Sequence, residues 1–166
     1  MRSSLSWWAS RTRQFRAHVR ASVEPAERAG LEAWLTSAQL ALFDGMHVAD
    51  RRHGLDVVAT LRAEGVGDPE VLLAGLLHDA GKGQTGVWPR VAYALGQGYG
   101  AGIWRVAAAL PGFRDALARL HAHAETSAAM AAAAGCPPRT VELIRHQDAP
   151  IDLEAGRLLK LADEAN

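Results

Sequence analysis

The stretch Val71-Leu72-Leu73-Ala74-Gly75-Leu76-Leu77 constrains this chain more than any other feature, and it ends abruptly on His78-Asp79. Read as a helix from Glu70 to Asp79, it is apolar on nearly every side and has no face to give to water. Such a helix must be wrapped by other elements and lie at the centre of the fold. Its start is marked by the turn Glu64 to Pro69, in which Asp68 caps the helix and Pro69 takes the first helical position. Composition says what wraps it. Alanine is abundant, β-branched residues are few, and no segment alternates apolar and polar residues with period two, so the expectation is an all-α fold. At 166 residues, 49% apolar and 22% charged, the chain can bury a sizeable core in one domain and does not read as disordered.

The surrounding helices follow from periodicity and punctuation. Pro25 with Glu24 and Glu27 marks a helix start, after which Leu31, Trp34, Leu35, Ala38 and Leu42 recur at helical spacing up to a break at Gly45. Further helices are predicted from about Ala49 to Arg62, Trp88 to Leu95, Phe113 to Ala134, Arg139 to Gln147 and Asp152 to Ala165. The longest should stop at Gly135, with Pro137 and Pro138 beyond. Gly81, Gly83 and Gly86 read as a loop, and Gly96, Gly98, Gly100 and Gly102 as a flexible connection between helices. With no strand before them, these glycines are not a dinucleotide fingerprint.

Residues 1–24 are expected to form a basic segment, helical and packed on a single domain over 25–166. From Met1 to Arg28 six arginines face only Glu24 and Glu27, a net charge of +4. No apolar core separates Arg2 from Arg11, so this stretch does not read as a signal peptide. No apolar run approaches ~18 residues, and no membrane span is expected. The single cysteine, Cys136, excludes a disulfide framework and a multi-thiolate zinc site and suggests a reducing, cytoplasmic setting. Zero formal net charge argues against a surface devoted to nucleic acid.

The chemistry is concentrated where the apolar helix ends, in His78-Asp79-Ala80-Gly81-Lys82. Burying a histidine and an aspartate without partners is costly. A divalent cation satisfies both, since imidazole nitrogen and carboxylate oxygen suit a borderline or hard ion. Two neighbours on a helix point ~100° apart, so both can reach one ion but cannot complete its shell. Candidates for the rest are His53, His123, His146 and Asp163, the last placed four residues after Leu159 on the same helical face. His121 competes with His123, but two positions on a helix lie ~200° apart and only one can face the site. Each residue also has a plainer reading. His78 and Asp79 could simply cap a helix C-terminus, and a lone helical histidine is usually a hydrogen-bonded core or surface group. Arg52 and Arg145 could meet phosphate or form surface ion pairs. Glu125 could orient a ligand histidine or be solvated. His18 and His47 read as non-ligands.

The ordered set His53, His78-Asp79-x-Gly81-Lys82 and Leu-x-x-Ala-Asp163 resembles the HD-domain metal-dependent phosphohydrolase superfamily over about residues 45–166. The resemblance implies a helical HD domain in which His53, His78, Asp79 and Asp163 hold one metal. His123 and His146 match the further histidines of the binuclear subset, where the doublet aspartate, here Asp79, bridges two ions. His123-Ala124-Glu125-Thr126-Ser127 is similar to the helical histidine motif of the cyclic-dinucleotide phosphodiesterase branch. His146-Gln147-Asp148-Ala149-Pro150 lacks the second histidine and the Gly-Tyr-Pro loop that name that branch.

The implied activity is hydrolysis of a phosphate ester, in a nucleotide or small phosphorylated metabolite, by metal-bound hydroxide. Asp79 and Lys82 would be catalytic, Lys82 by meeting a phosphoryl oxygen as a mobile charge. Mixed nitrogen and oxygen donors favour Fe, Mn, Co or Ni, with Mg admitted, and two ions are expected. The alternatives are a di-iron oxygenase with the same ligand types and a non-catalytic nucleotide-binding module. A homodimer is left open.

Overall fold

The computed structural model describes residues 21–166, which hold ten α-helices, one 3-10 turn and no strand. In chain order the helices are α1 (Pro25–Leu31), α2 (Ser37–Gly45), α3 (Val48–Ala63), α4 (Pro69–Leu77), α5 (Val87–Tyr99), α6 (Gly102–Ala107), α7 (Phe113–His121), α8 (His123–Ala133), α9 (Pro138–Arg145) and α10 (Ala155–Ala165). The 3-10 turn Ala80–Lys82 follows α4 directly. The segment expected over residues 1–24 lies almost wholly outside the described residues; 21–24 are non-helical, and Glu24 caps α1.

The all-α expectation holds, and α4 lies at the centre. Every residue from Val71 to Leu77 is buried. Asp68 accepts the Glu70 N–H at 2.9 Å, and Pro69 opens the helix as its sequence indicates. Helices α3, α9 and α10 pack around α4, with Val57, Leu61, Ile144 and Leu159 closing the core. The α3–α4 contact is close because Gly54 lacks a side chain: a Cβ there would stand 2.4 Å from the Leu76 carbonyl oxygen. That approach sets the distance between His53, one residue earlier, and His78 at the end of α4.

Three boundaries differ from the periodic reading. The pattern from Leu31 to Leu42 spans two helices, because Thr36 starts a new one. Its hydroxyl accepts the Gln39 N–H at 3.3 Å, and the Gln39 side chain accepts the Thr36 N–H at 3.0 Å. This reciprocal capping outweighs continuation of the apolar stripe. Thr36→Ala is therefore expected to cost about 1 kcal/mol, read from the urea midpoint at unchanged slope. In an uninterrupted helix the same change would be neutral or stabilising, since alanine is the better helix former.

The helix expected from Phe113 to Ala134 breaks at Ala122 into α7 and α8. The His123 ring turns back to hydrogen-bond the Leu120 carbonyl, which bends the chain at this point. The glycine run is not a simple connection either. Helix α5 continues through Gly96 and Gly98 to Tyr99, because the Trp104 indole lies directly on Gly96 and donates to the Tyr93 carbonyl at 3.0 Å. The short helix α6, starting at Gly102, is an element the sequence reading did not contain.

Candidate metal centre

His53, His78 and Asp163 come together at the C-terminal end of α4, from three different helices. One ligand atom of each lies within 4.8 Å of the others, and the group could hold a metal ion. His53 Nε2 donates to Asp163 Oδ1 at 2.7 Å, and His78 Nε2 lies 3.4 Å from the same oxygen. Asp79 lies beside this group and outside it, with Oδ1 3.5 Å from His78 Nε2. Ligand atoms each about 2.1 Å from a common centre stand roughly 3.0–3.4 Å apart; the His78–Asp163 separation is of that size, whereas the 2.7 Å His53–Asp163 contact is a hydrogen bond that an ion would have to replace.

The tautomer of His78 is set by a backbone contact. Its Nδ1 donates to the Gly75 carbonyl at 2.9 Å, which leaves Nε2 to face Asp79 and Asp163. Backbone anchoring of one ring nitrogen is the usual way a protein aims the other at a metal. His78 Nε2 and Asp79 Oδ1 are both buried and have no hydrogen-bond partner. A lone pair facing two carboxylates needs a positive charge between them: a proton on Nε2 or a cation. Burial opposes the proton, but Asp79 and then Asp163 outweigh it and hold the His78 pKa up at about 9. Burial likewise pushes both carboxyls up. His78 and Lys82 hold Asp79 well below the usual carboxylate range, and His53 and His78 do the same for Asp163. The centre is thus built around two ionised carboxylates.

Lys82 Nζ donates to Asp79 Oδ2 at 2.5 Å, with a quarter of its side chain exposed (24%). Burial would release its proton, yet Asp79 and Asp50 keep its pKa raised. The turn that carries Lys82 rests on the start of α8. Gly81 N–H donates to Ser127 Oγ at 2.8 Å, and a Cβ on Gly81 would meet the His123 carbonyl oxygen at 2.5 Å. This contact brings His123 beside Asp79, with Nε2 at 3.9 Å from Oδ1, the same oxygen that faces His78. Its Nδ1 is anchored on the Leu120 carbonyl at 2.7 Å, as His78 is on Gly75. His121 instead sits edge-on to Tyr93 and Trp104.

His146 is not brought to this group. It caps the end of α9 and faces Glu142 at 3.4 Å. Its neighbour Gln147 turns inward and donates to the His78 carbonyl at 3.2 Å. Arg52 is held by Glu27 and Asp56, and Arg145 by Glu125 and Glu142, so both form ion pairs. His47 serves as the α3 cap, its Nδ1 accepting the Ala49 N–H.

The sequence reading missed Asp50 and Arg90. Their side chains form a buried two-pronged pair, each contact 2.6 Å, and Arg90 Nε also donates to the Thr85 carbonyl at 2.9 Å. The pair ties the loop after Lys82 to α3. The available signal was Asp50 three residues before His53, one turn back on the same face. No family model, no curated protein and no solved structure matches this chain.

Proposed function

We propose that the chain is a metal-dependent phosphohydrolase of the HD-domain type, acting on a phosphate ester of a nucleotide or small phosphorylated metabolite. The observation that carries this reading is the pair of buried, unpartnered atoms His78 Nε2 and Asp79 Oδ1, set against the His53–Asp163 pair with a lysine at the other Asp79 oxygen. His53, His78, Asp79 and Asp163 would hold one divalent ion. A second would find Asp79 and His123 but not His146. When bound, such an ion supplies Lewis acidity and makes a coordinated water acidic enough to react near neutral pH.

The chain's own groups do the rest. Lys82 stays protonated and is partly open to solvent, so its ammonium can meet a phosphoryl oxygen while still touching Asp79. The Gly75 and Leu120 carbonyls keep His78 and His123 in one tautomer, so neither ring must reorient as substrate arrives. The Asp50–Arg90 pair holds the loop that follows Lys82.

The test loads the purified chain with Mn²⁺, or with Fe²⁺ in the absence of oxygen, and follows phosphate release from nucleoside monophosphates and simple diesters alongside elemental analysis. Hydrolysis is expected. Asp79→Asn should weaken metal uptake at least as much as losing a ligand's hydrogen-bond partner does, about 10–100-fold, and turnover should fall with it. No hydrolysis of any mono- or diester, with metal content unchanged in Asp79→Asn, would overturn the reading.

A further inference from the structure

Helix α5 has two opposed faces. Arg90 reaches back to Asp50 and the Lys82 loop. Trp88 and Leu95 turn the other way and, with Ile103, Val106, Leu110 and Phe113, line a shallow groove of about 780 Å³. No charged or hydroxyl-bearing side chain lines it. Three of these groups are strongly exposed: Trp88 at 69%, Val106 at 75% and Leu110 at 52%. Contiguous apolar surface of this kind marks an interaction site.

The charge around the groove identifies the partner. The chain is neutral overall, yet residues 91–121 hold Arg105, Arg114 and Arg119 against Asp115 alone, a net +2, while Arg90 is taken up by Asp50 on the other face. The stretches on either side are acidic, −3 over residues 29–90 and −3 over 122–166. Arg105 adjoins Val106 and Arg114 adjoins Phe113; both are exposed, as is Arg119, and among the described residues none of the three forms an ion pair.

We infer that this face docks the protein on an anionic lipid bilayer. The groove is too open to enclose a discrete small molecule and has no polar group to orient one. A second copy would bring the arginine rim against itself, with only Asp115 to offset the repulsion. An acidic membrane offers what the face lacks: hydrocarbon for Val106 and Leu110, an interfacial layer for the Trp88 indole, and negative charge for the arginines. This inference is independent of the reaction at the metal centre.

The test is co-sedimentation of the full chain with vesicles of phosphatidylcholine alone and of phosphatidylcholine mixed with phosphatidylglycerol. Binding to the mixed vesicles only, falling as salt rises, is expected. Val106→Asp with Leu110→Asp should reduce partitioning at least about tenfold while helicity and metal content stay unchanged. Arg105→Glu with Arg114→Glu should reduce it on mixed vesicles without making the chain insoluble. The inference is overturned if the full chain ignores anionic vesicles, or if the Val106/Leu110 variant binds as well as wild type, which would place the contact on the basic residues 1–28. It is also overturned if light scattering shows a dimer that this variant splits and no vesicle binding, which would make the face a contact between copies.

Discussion

Gly54→Ala is expected to lower stability by about 1–3 kcal/mol and to weaken metal uptake at the same time. The new methyl group would have to share space with a backbone carbonyl, since its position lies 2.4 Å from Leu76 oxygen. A carbonyl inside a helix cannot swing aside as a flexible side chain can, so α3 must back away from α4. His53 travels with α3 and His78 stays with α4, and their ring centroids, 5.2 Å apart, would separate. The same few tenths of an ångström that loosen the packing would also draw apart side chains that could meet one ion. Urea denaturation and a metal titration on the same preparation check both halves. If Gly54→Ala kept wild-type stability and uptake, the two helices would not touch at this point.

Asp50→Asn should be more destabilising still, by about 3–5 kcal/mol, because it leaves the mostly buried Arg90 guanidinium without its counter-charge. The pair as a whole need not be stabilising. Replacing both partners, Asp50→Asn with Arg90→Met, is therefore expected to recover part of the loss in a double-mutant cycle. The single variant should also loosen the chain between Gly83 and Gly86, since Arg90 holds Thr85 through its Nε. Limited proteolysis reports on that loop directly. Equal losses in the single and double variants would mean that packing of the Arg90 stem, not charge pairing, is what matters here.

What was legible in the sequence was local or strongly patterned. The helix over residues 69–77 announced itself by an uninterrupted apolar run with Asp68-Pro69 in front of it, and the motif at its end lay within five residues. Two interruptions escaped because the apolar period runs straight through them. The Thr36/Gln39 capping pair was present as a Thr-x-x-Gln spacing but was hidden by a stripe that continues in phase beyond it. The bend at Ala122 depends on a ring returning to a carbonyl, which spacing does not express. Gln147 could not be told from His146 at a helix end, where the chain leaves the helical phase. The Asp50–Arg90 pair joins residues 40 positions apart, and nothing short of the fold itself brings them together.

The burial of α4 has a kinetic corollary for anything held at its tip. His78 and Asp79 have side chains only 2% exposed, whereas Asp163 is 42% exposed and His53 24%. Solvent therefore reaches the group from one side. An ion bound there would exchange past the more exposed Asp163 and His53, with the floor of the site remaining shut, and its rate should be insensitive to mutations that weaken the distant core.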